Sequence, residues 1–373
     1  MVKIHSLFKA ACICAAMAAL TDAYASGKDR EISTCASDSR ISYSGRTLHS
    51  GDNVSFDWSG TSVRVRFTGR SISIRCSDTK ANYFNVWIDS EYSEKADKII
   101  RTAGQDTTIV IAENLKKHEH EIILQKRTEG EQGTVTIHEF ITDGDILQAE
   151  SGKQRHMEFI GDSYTCGFGT ENSIATDPFK PETENCNLTY AAIAARYFNA
   201  DFTLLSHSGQ GIARNYDDFK PGYTMVERYD QTFDENKDII WSSEDGCTTP
   251  DIVVIYLGAN DFSTEKQPSK SLFCTRYKEL LAKVRSNYGE ETPILCFAAK
   301  LDDGIFEYVK AACLKSGIKN VSFATMQDTA FNWDSDLGAC YHPNYSGHRK
   351  MASIIIPYIA TVTGWEMEAK AYK

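Results

Sequence analysis

Apolar and polar side chains alternate along the early part of the chain, from about residue 39 to residue 147. In "SVRVRF", Val63, Val65 and Phe67 are separated by arginines, and "SISIRC" repeats the pattern after a turn at Gly69. The stretches "YFNVWID", "TTIVIA", "EIILQ" and "GTVTIHEF" follow, separated by polar or glycine-containing turns. Several short strands of period two, with few helical patterns, predict a β-sandwich that is jelly-roll-like.

The pattern changes at Arg155. "HMEFIGDS" and "DIVVIYLGAND" are short apolar runs that end in small and polar residues, as buried parallel strands often do. Helical stretches lie between and after them, such as "LTYAAIAARYF", "SLFCTRYKELLAKVRSNY" and "GHRKMASIIIPYIATVTG". Strands alternating with helices predict a parallel α/β sheet, whose functional residues collect at the carboxyl ends of the strands. We therefore expect two domains, residues 26–150 and residues 151–373, joined at "ILQAESGKQRH".

The first 25 residues have the features of a secretory signal peptide. Lys3 and Lys9 are basic, "AACICAAMAAL" is a short apolar run, and "AYA" at residues 23–25 fits a small-residue cleavage site. The run is too short to span a bilayer, and no later stretch has the length of a membrane helix. We expect cleavage after Ala25 and a secreted or periplasmic protein. A lipoprotein is disfavoured, because neither cysteine of the run has a lipobox-like context.

Charge and cysteine content narrow the class of protein. The net charge is −11, and removal of two lysines and one aspartate with the signal leaves −12, which argues against nucleic acid or an anionic membrane surface as partner. Nine of the eleven cysteines follow the signal, so we expect some disulfides and at least one leftover thiol. Cys35 and Cys76 are one candidate pair. No paired metal-ligand spacing occurs, so we expect no metal.

The stretch "GDSYTCGFG" places Ser163 after an apolar run and before a cluster of glycines. It is not a Walker A loop, since no Gly-Lys-Ser/Thr follows, and its glycine spacing does not fit the dinucleotide fingerprint GxGxxG. It also fails GxSxG, because Thr165 stands where the second glycine should be. What remains is Gly-Asp-Ser at a strand end that opens a helix. Ser163 is then either a simple helix cap or a nucleophile whose amide faces an anion.

Three further stretches favour a nucleophile. "HSGQGIARN" places Gly209 and Gly211 where a strand meets a loop, and a glycine lets a backbone N–H approach a ligand closely. "LGAND" places the Asn260 amide at another strand end, where it can donate to an oxyanion. "YHPNYSGH" places His342 before a proline and the last helix, a rigid position for a general base. Together these residues supply a nucleophile, two donors and a base.

This ordered set resembles the four blocks of the SGNH hydrolase superfamily: Gly161-Asp162-Ser163, Gly209, Gly258-Ala259-Asn260-Asp261 and His342-Pro343. The longer forms "GDSYTCGFG", "SGQGIARNY", "LGANDFS" and "YHPNYSGHRKMA", behind an N-terminal sandwich, resemble carbohydrate esterase family 2. The resemblance covers nearly the whole mature chain. It implies a jelly-roll-like β-sandwich followed by a flavodoxin-like α/β/α hydrolase domain with a parallel sheet.

The resemblance also implies a function: removal of O-acetyl groups from plant polysaccharides such as acetylxylan, without a cofactor. Ser163 would attack the acetyl carbonyl and His342 would take its proton. The amides of Ser163 and Gly209 and the side chain of Asn260 would hold the oxyanion. Tyr216 would lie near the sugar. The implied partner is an acetylated polysaccharide or oligosaccharide, with no nucleic acid and no membrane after signal cleavage, and the protein is expected to be a monomer.

One position departs from the superfamily pattern. Most SGNH hydrolases carry Asp three residues before the histidine, and here that position is Ala339, followed by Cys340. Some family members are thought to work as a Ser-His dyad whose imidazole is held by a backbone carbonyl. We favour this dyad. The alternative is a displaced acid, Asp334 or Asp336, which requires the loop to fold back.

Two other functions compete with a polysaccharide esterase. A non-catalytic glycan-binding protein with a degenerate esterase domain should have lost a catalytic group, whereas the serine, the asparagine and the histidine are all retained. A lipase or thioesterase of the same superfamily needs an apolar acyl groove. The loops here, "TENSIATDPFKPETENCN" and "RNYDDFKPGY", are polar and aromatic, which suits sugar rings better than acyl chains.

Overall fold

The computed structural model describes residues 31–90, 92–116, 118–218, 222–242, 248–263, 267–299, 304–326 and 331–367. The predicted signal peptide, residues 1–25, lies outside these ranges. Within them, no helix has both the length and the apolar character needed to cross a bilayer.

The N-terminal part is an antiparallel β-structure. Its core strands follow the order β10-β5-β8-β6-β9-β4-β3, while β1 pairs with β9, β2 with β5 and β7 with β6. Inward-facing apolar residues form one buried cluster, and along β5 the buried positions alternate with partly exposed arginines, as predicted. The strands are β1 (Ile32–Cys35), β2 (Ser42–Ser44), β3 (Leu48–Ser50), β4 (Asn53–Phe56), β5 (Ser62–Gly69), β6 (Ile72–Ile88), β7 (Lys98–Ala112), β8 (His118–Lys126), β9 (Val135–Thr142) and β10 (Ile146–Leu147).

Strand β6 corrects one expectation. "SISIRC" and "YFNVWID" are not two strands separated by a turn, because both belong to the 17-residue β6. The register of its pairing with β7 shifts between Cys76 and Asp78 and again between Asp78 and Ala81. These bulges absorb the polar residues between the two stretches and bend the strand. The first part of β6 therefore pairs with β9 and its last part with β8.

The C-terminal part begins with β11 and is built on a parallel sheet of order β12-β11-β15-β16-β17. Helices α2 and α6 pack together, as do α4 and α5, and both pairs contribute to the cluster that buries the sheet. This confirms the predicted fold class. The elements are β11 (Arg155–Gly161), α1 (Ser163–Cys166), α2 (Tyr190–Tyr197), β12 (Ala200–Ser206), α3 (Met225–Arg228), β13 (Gln231–Phe233), β14 (Asn236–Ile240), β15 (Ile252–Tyr256), α4 (Lys270–Tyr288), β16 (Ile294–Ala298), α5 (Ile305–Lys315), β17 (Val321–Thr325) and α6 (Tyr345–Thr363).

The two parts are docked through buried polar contacts. The Trp58 indole of the sandwich lies in the core cluster of the α/β part, and its Nε1 donates to the Thr232 carbonyl oxygen at 3.0 Å. The fully buried Arg46 guanidinium donates to the carbonyl oxygens of Tyr229 at 2.5 Å and Gln231 at 2.7 Å. The sandwich is thus packed against the domain that carries the candidate site.

The disulfide expectation is wrong for the described cysteines. Eight cysteines lie in the described ranges and all are free thiols, and Cys247 falls outside them. Cys35 and Cys76 cannot pair because β9 lies between β1 and β6, with Glu139 opposite Cys35 and also opposite Arg75. Two strand spacings amount to roughly 10 Å. A disulfide requires Cα atoms within about 7 Å.

Candidate active site

The nucleophile candidate lies at the carboxyl end of the central strand β11. Asp162 caps helix α1 by accepting the Tyr164 N–H at 3.2 Å, and Ser163 is the first helical residue. The Ser163 N–H therefore has no intrahelical acceptor. Gly161 is required by this turn, since a Cβ there would lie 2.0 Å from Thr165 Oγ1. The strand thus places a buried serine hydroxyl, and an amide with no acceptor within the helix, at the same edge of the sheet.

His342 lies beside this serine. Its Nε2 is 2.8 Å from Ser163 Oγ, and its Nδ1 is 3.1 Å from the carbonyl oxygen of Cys340. Because a carbonyl oxygen can only accept, Nδ1 carries the proton and Nε2 is left as the acceptor for the serine hydroxyl. The Ser163 hydroxyl, the His342 imidazole and the Cys340 carbonyl are therefore joined by two successive hydrogen bonds.

The backbone before His342 is strained. Cys340 and Tyr341 both have left-handed conformations, with φ of +51° and +61°, although neither is a glycine. Such conformations cost about 1–3 kcal/mol each and persist only where the surrounding structure enforces them. Here they fold the chain back so that the Cys340 carbonyl meets the imidazole two residues later.

Aromatic rings surround the imidazole. The Phe168 ring lies 4.3 Å from the His342 ring and stacks in turn on Phe179 at 4.1 Å, while Tyr164 meets the imidazole edge at 5.3 Å. Burial lowers the pKa of His342, and hydrogen bonds to the carbonyl oxygens of Cys340 and Ala339 offset only part of this effect. At neutral pH the imidazole is therefore neutral and able to accept a proton.

No carboxylate among the described residues hydrogen-bonds to His342. Asp336 is buried, and its carboxylate accepts from the Asn332 N–H at 2.6 Å, from Ser346 Oγ at 2.8 Å and from the Lys350 ammonium. Burial opposes ionisation there, but these donors outweigh it and hold the pKa of Asp336 at about 2. Asp334 is exposed to solvent on the same loop. The structure thus places neither candidate acid on the imidazole.

Ala339 occupies the position where the superfamily usually has aspartate, and it has no room for one. It is fully buried, and a Cβ on Gly169 would lie only 2.8 Å from the Ala339 Cβ. Close packing between these two small residues brings the histidine loop against the serine loop.

The two candidate oxyanion donors lie at the ends of β12 and β15, the strands on either side of β11. Asn260 follows β15, and its Nδ2 donates to the Gln210 carbonyl oxygen at 2.9 Å and to Asp162 Oδ2 at 3.3 Å. Gly209 follows β12 with φ of +78°, and its carbonyl accepts the Tyr216 N–H at 2.8 Å. Burial raises the pKa of Asp162 to about 7. Asn260 is therefore linked directly to the residue before the nucleophile.

Asp261 fixes the loop that carries Gly209 and Gly211. Its carboxylate accepts three consecutive backbone N–H groups, from Ile212 at 2.8 Å, Ala213 at 2.6 Å and Arg214 at 3.1 Å. Burial raises the pKa of Asp261 to about 6, although these bonds oppose the effect. Gly211 must stay a glycine, since a Cβ there would lie 2.4 Å from Asp261 Oδ2. Asp261 of "GAND" thus has a structural role in holding this loop, whereas its neighbour Asn260 is the candidate donor.

Exposed aromatic side chains flank the site. Tyr216 is 61% exposed, and its N–H donates to the Gly209 carbonyl oxygen. Sequence reasoning missed Trp333 and Tyr341, which are 69% and 52% exposed and whose ring centroids lie 6.1 Å apart. It also missed Phe168. A possible signal was the aromatic content of "FNWDSDLGACYHP" directly before the histidine.

Two groups of described residues combine three metal-ligating side chains, and both are occupied by protein hydrogen bonds. One comprises Glu129, Cys166 and Glu184, where the buried thiol donates to Glu129 Oε2 at 3.4 Å. Burial raises the pKa of Cys166 far above its usual value, so at neutral pH its side chain is a thiol and not a nucleophilic thiolate.

The second group is His207, Asp234 and Glu235. Burial disfavours the His207 cation, but the Asp234 carboxylate 2.8 Å from Nδ1 and the Glu131 carboxylate outweigh it and raise the pKa of His207 to about 10. Glu129 of the first group and Glu131, the partner of His207 in the second, belong to the sandwich, so both groups lie at the contact between the two domains.

Comparison with known families agrees with this arrangement. Residues 43–149 match the family described as "Carbohydrate esterase 2 N-terminal". Residues 159–350, about half of the chain, match the "GDSL-like Lipase/Acylhydrolase family". The first match lies on the sandwich, and the second contains the serine, the asparagine and the histidine of the site.

Individual relatives agree as well. "Cellulase/esterase CelE" of Acetivibrio thermocellus is 32% identical over 336 residues, covering 87% of this chain but only 40% of that protein. An "Acetylxylan esterase / glucomannan deacetylase" of Cellvibrio japonicus is 25% identical over 324 residues, 84% of this chain and 87% of the relative. A solved family two carbohydrate esterase from Clostridium thermocellum, in complex with cellohexaose, has a TM-score of 0.78 and 31% identity, covering 87% of this chain and 100% of that one. The chain belongs to carbohydrate esterase family 2.

Proposed function

We propose that this protein is a serine esterase that removes O-acetyl groups from plant polysaccharides such as acetylxylan. The observation that carries the proposal is the 2.8 Å contact between Ser163 Oγ and His342 Nε2, with the opposite ring nitrogen on the Cys340 carbonyl. This arrangement leaves a neutral base against a serine hydroxyl, which is what acyl transfer through a serine requires.

The acylation step follows from these contacts. His342 Nε2 takes the Ser163 proton as Oγ attacks the acetyl carbonyl carbon. The oxyanion that forms is held by the amides of Ser163 and Gly209 and by the Asn260 side chain, whose Nδ2 exchanges its longer hydrogen bond, the one to Asp162, for the oxyanion and keeps the one to Gln210. The tetrahedral intermediate then collapses: the bond between the acetyl carbon and the sugar oxygen breaks, and the imidazolium gives its proton to that oxygen, which leaves as a hydroxyl.

Deacylation repeats the sequence with water. His342 deprotonates a water molecule that attacks the acetyl-serine, and the same donors hold the second oxyanion. Acetate leaves and the serine recovers its proton. The Cys340 carbonyl keeps the imidazole in one tautomer throughout, which is the orienting role that aspartate has in a triad. It has no full negative charge to stabilise the imidazolium.

The exposed aromatic rings support a polysaccharide substrate. Tyr216, Trp333 and Tyr341 lie on the open surface beside the dyad rather than lining a closed apolar groove. Flat rings of this kind stack on sugar faces, whereas a lipase or thioesterase needs a continuous acyl channel. The acetylxylan esterase named among the relatives and the cellohexaose complex of another support the same substrate class.

The test is acetate release from acetylated xylan, acetylated glucomannan and acetylated pectin by wild type and Ser163→Ala. We expect wild type to release acetate from the first two, and Ser163→Ala to release none above background. A series of 4-nitrophenyl esters should favour acetate over octanoate. Preference for octanoate would overturn the carbohydrate substrate in favour of a lipase. Polysaccharide binding without any acetate release would instead favour the non-catalytic alternative.

We also propose that residues 1–25 direct export, because the polymeric substrate is extracellular and the segment has the features of a signal peptide. Intact-mass analysis of protein recovered from the culture medium or periplasm should give a chain that begins at Ser26. Recovery of the full-length chain from the cytoplasm would contradict export.

A further inference from the structure

A loop of the β-sandwich is buried in the α/β domain behind the nucleophile. It follows β8, and its first residues are fixed by polar contacts. The Lys126 ammonium donates to the carbonyl oxygens of Thr128 at 2.6 Å and Glu129 at 2.9 Å. The Cys186 N–H donates to the Arg127 carbonyl at 3.2 Å. The loop is therefore held in one position by both domains.

Glu129 extends from this loop to the oxyanion loop. Its Oε2 accepts the Ser208 N–H at 2.7 Å and its Oε1 accepts the Ser208 hydroxyl at 2.7 Å. Ser208 directly precedes Gly209. The same Oε2 accepts the Cys166 thiol at 3.4 Å, and Cys166 ends the helix that Ser163 begins. One carboxyl of the sandwich thus contacts the segments that carry both backbone donors of the proposed oxyanion hole.

We propose that Glu129 is a positioning residue for the oxyanion hole, so that the sandwich contributes to acetyl transfer. The inference rests on the proposed esterase function. An oxyanion donor must lie within about 2.7–3.1 Å of the developing charge. Gly209 has no side chain to fix its amide and adopts a left-handed φ of +78°, so its orientation depends on the residues bonded to it. Asp261 fixes the far side of the loop, and Glu129 fixes the near side.

Glu129 is itself built into place. It is 1% exposed, and its N–H donates to Glu184 Oε2 at 3.2 Å. Burial raises the pKa of the Glu129 carboxyl and of the Glu184 carboxyl. The nearby His207 cation opposes this effect at Glu129 but does not outweigh it. An unpaired carboxyl would be costly in such a site, and the two Ser208 donors supply its partners. A residue that served only to join the domains would not need to bind the amide beside Gly209.

Four variants separate positioning from simple structural support. Glu129→Ala removes both acceptors, Ser208→Ala removes one donor and keeps the N–H, and Glu129→Gln keeps one acceptor oxygen. Glu119→Gln is the matched control, since Glu119 lies on the same domain with its side chain 59% exposed and paired only with Arg66 in the described contacts. For each variant, kcat and KM for 4-nitrophenyl acetate and acetylated xylan are measured well below its unfolding midpoint.

We expect Glu129→Ala to lower kcat about a hundredfold with KM within about threefold, since a displacement near 1 Å of a catalytic donor costs on that order. Glu129→Gln should restore most of this loss, Ser208→Ala should cost a few-fold, and Glu119→Gln should match wild type. Combining Ser208→Ala with Glu129→Ala should cost no more than Glu129→Ala alone, because both remove the same contact.

Unchanged kcat in folded Glu129→Ala, or a loss confined to KM, would overturn the inference. If Glu129→Ala does not fold, Ser208→Ala decides the question: a kcat lowered a few-fold with unchanged KM supports the inference, and a wild-type kcat overturns it. Failure of the proposed function looks different: wild type would then release no acetate, or Ser163→Ala would retain the wild-type activity. An inactive Ser163→Ala together with a fully active Glu129→Ala refutes the positioning role alone.

Discussion

Asp336→Asn tests whether this esterase works without a carboxylate on its histidine. Asp336 lies six residues before His342, close enough in sequence to be a displaced triad acid. In the structure its carboxylate binds the Asn332 N–H, the Ser346 hydroxyl and the Lys350 ammonium instead. The substitution should therefore weaken the loop and leave the orientation of the imidazole intact.

The expected magnitudes follow from those contacts. Asparagine keeps one acceptor oxygen but loses the ion pair with Lys350. Its hydrogen bonds with the Asn332 N–H and the Ser346 hydroxyl would no longer involve a charged acceptor. Hydrogen bonds to charged groups contribute about 1.5–3 kcal/mol, so we expect a loss of about 2 kcal/mol in the free energy of unfolding. In a domain of this size that lowers Tm by about 4–8 °C. The kcat should change by less than about tenfold, whereas the same change in a true triad costs about ten-thousandfold.

The assay is acetate release at saturating substrate, at least about 20 °C below the Tm of the variant, which is roughly 2.5 to 5 times the expected shift. Asp334→Asn is the matched control on the same loop, because Asp334 is exposed and should affect neither Tm nor kcat. A kcat loss of several orders of magnitude in folded Asp336→Asn would refute the reasoning. It would mean that the carboxylate turns to His342 during the reaction.

The remaining predictions concern the base, one donor and the position of the missing acid. Protonation of His342 removes the base, so kcat/KM should fall as the pH decreases through the pKa of His342, which burial lowers below 6.5. Phe168→Ala exposes the imidazole ring and should therefore move the midpoint of this pH profile upward. An unmoved midpoint would contradict this explanation. Asn260→Ala should lower kcat about 10²–10³-fold with a smaller change in KM, and a pure KM effect would mark it as a sugar contact. Ala339→Asp should lower both soluble yield and kcat because Gly169 leaves no space for a carboxylate, and a raised kcat would contradict the packing.

The sequence was sufficient to locate Ser163, Gly209 and Asn260 because each follows a buried parallel strand, and such strands end at one edge of a sheet. The strands β16 and β17 lack a motif at their ends, and neither was identified from the sequence. Strand β6 was divided in two because its bulges contain polar residues that read as a turn. Bulges have no sequence signature comparable to a glycine turn.

The orientation of the histidine could only be left as alternatives. Every residue has a backbone carbonyl, whatever its side chain. Nothing in "GACYHP" therefore identifies the carbonyl that accepts from the imidazole. The left-handed conformations of Cys340 and Tyr341 also have no sequence signal, since neither residue type favours a positive φ. Glu129 lies on a different domain from the loop that it binds, and no local pattern connects residues so far apart. These features depend on tertiary packing.

The most direct test of the account is the identity of the nucleophile within the dyad. Wild type and His342→Ala are treated with a fluorophosphonate, and the modified residue is located by peptide mass spectrometry while acetate release is followed. We predict one label per chain, on Ser163, with loss of activity in proportion to labelling, and much slower labelling of His342→Ala because its serine lacks the base 2.8 Å away. A label on another residue, or full labelling of Ser163 with acetate release intact, would contradict the account.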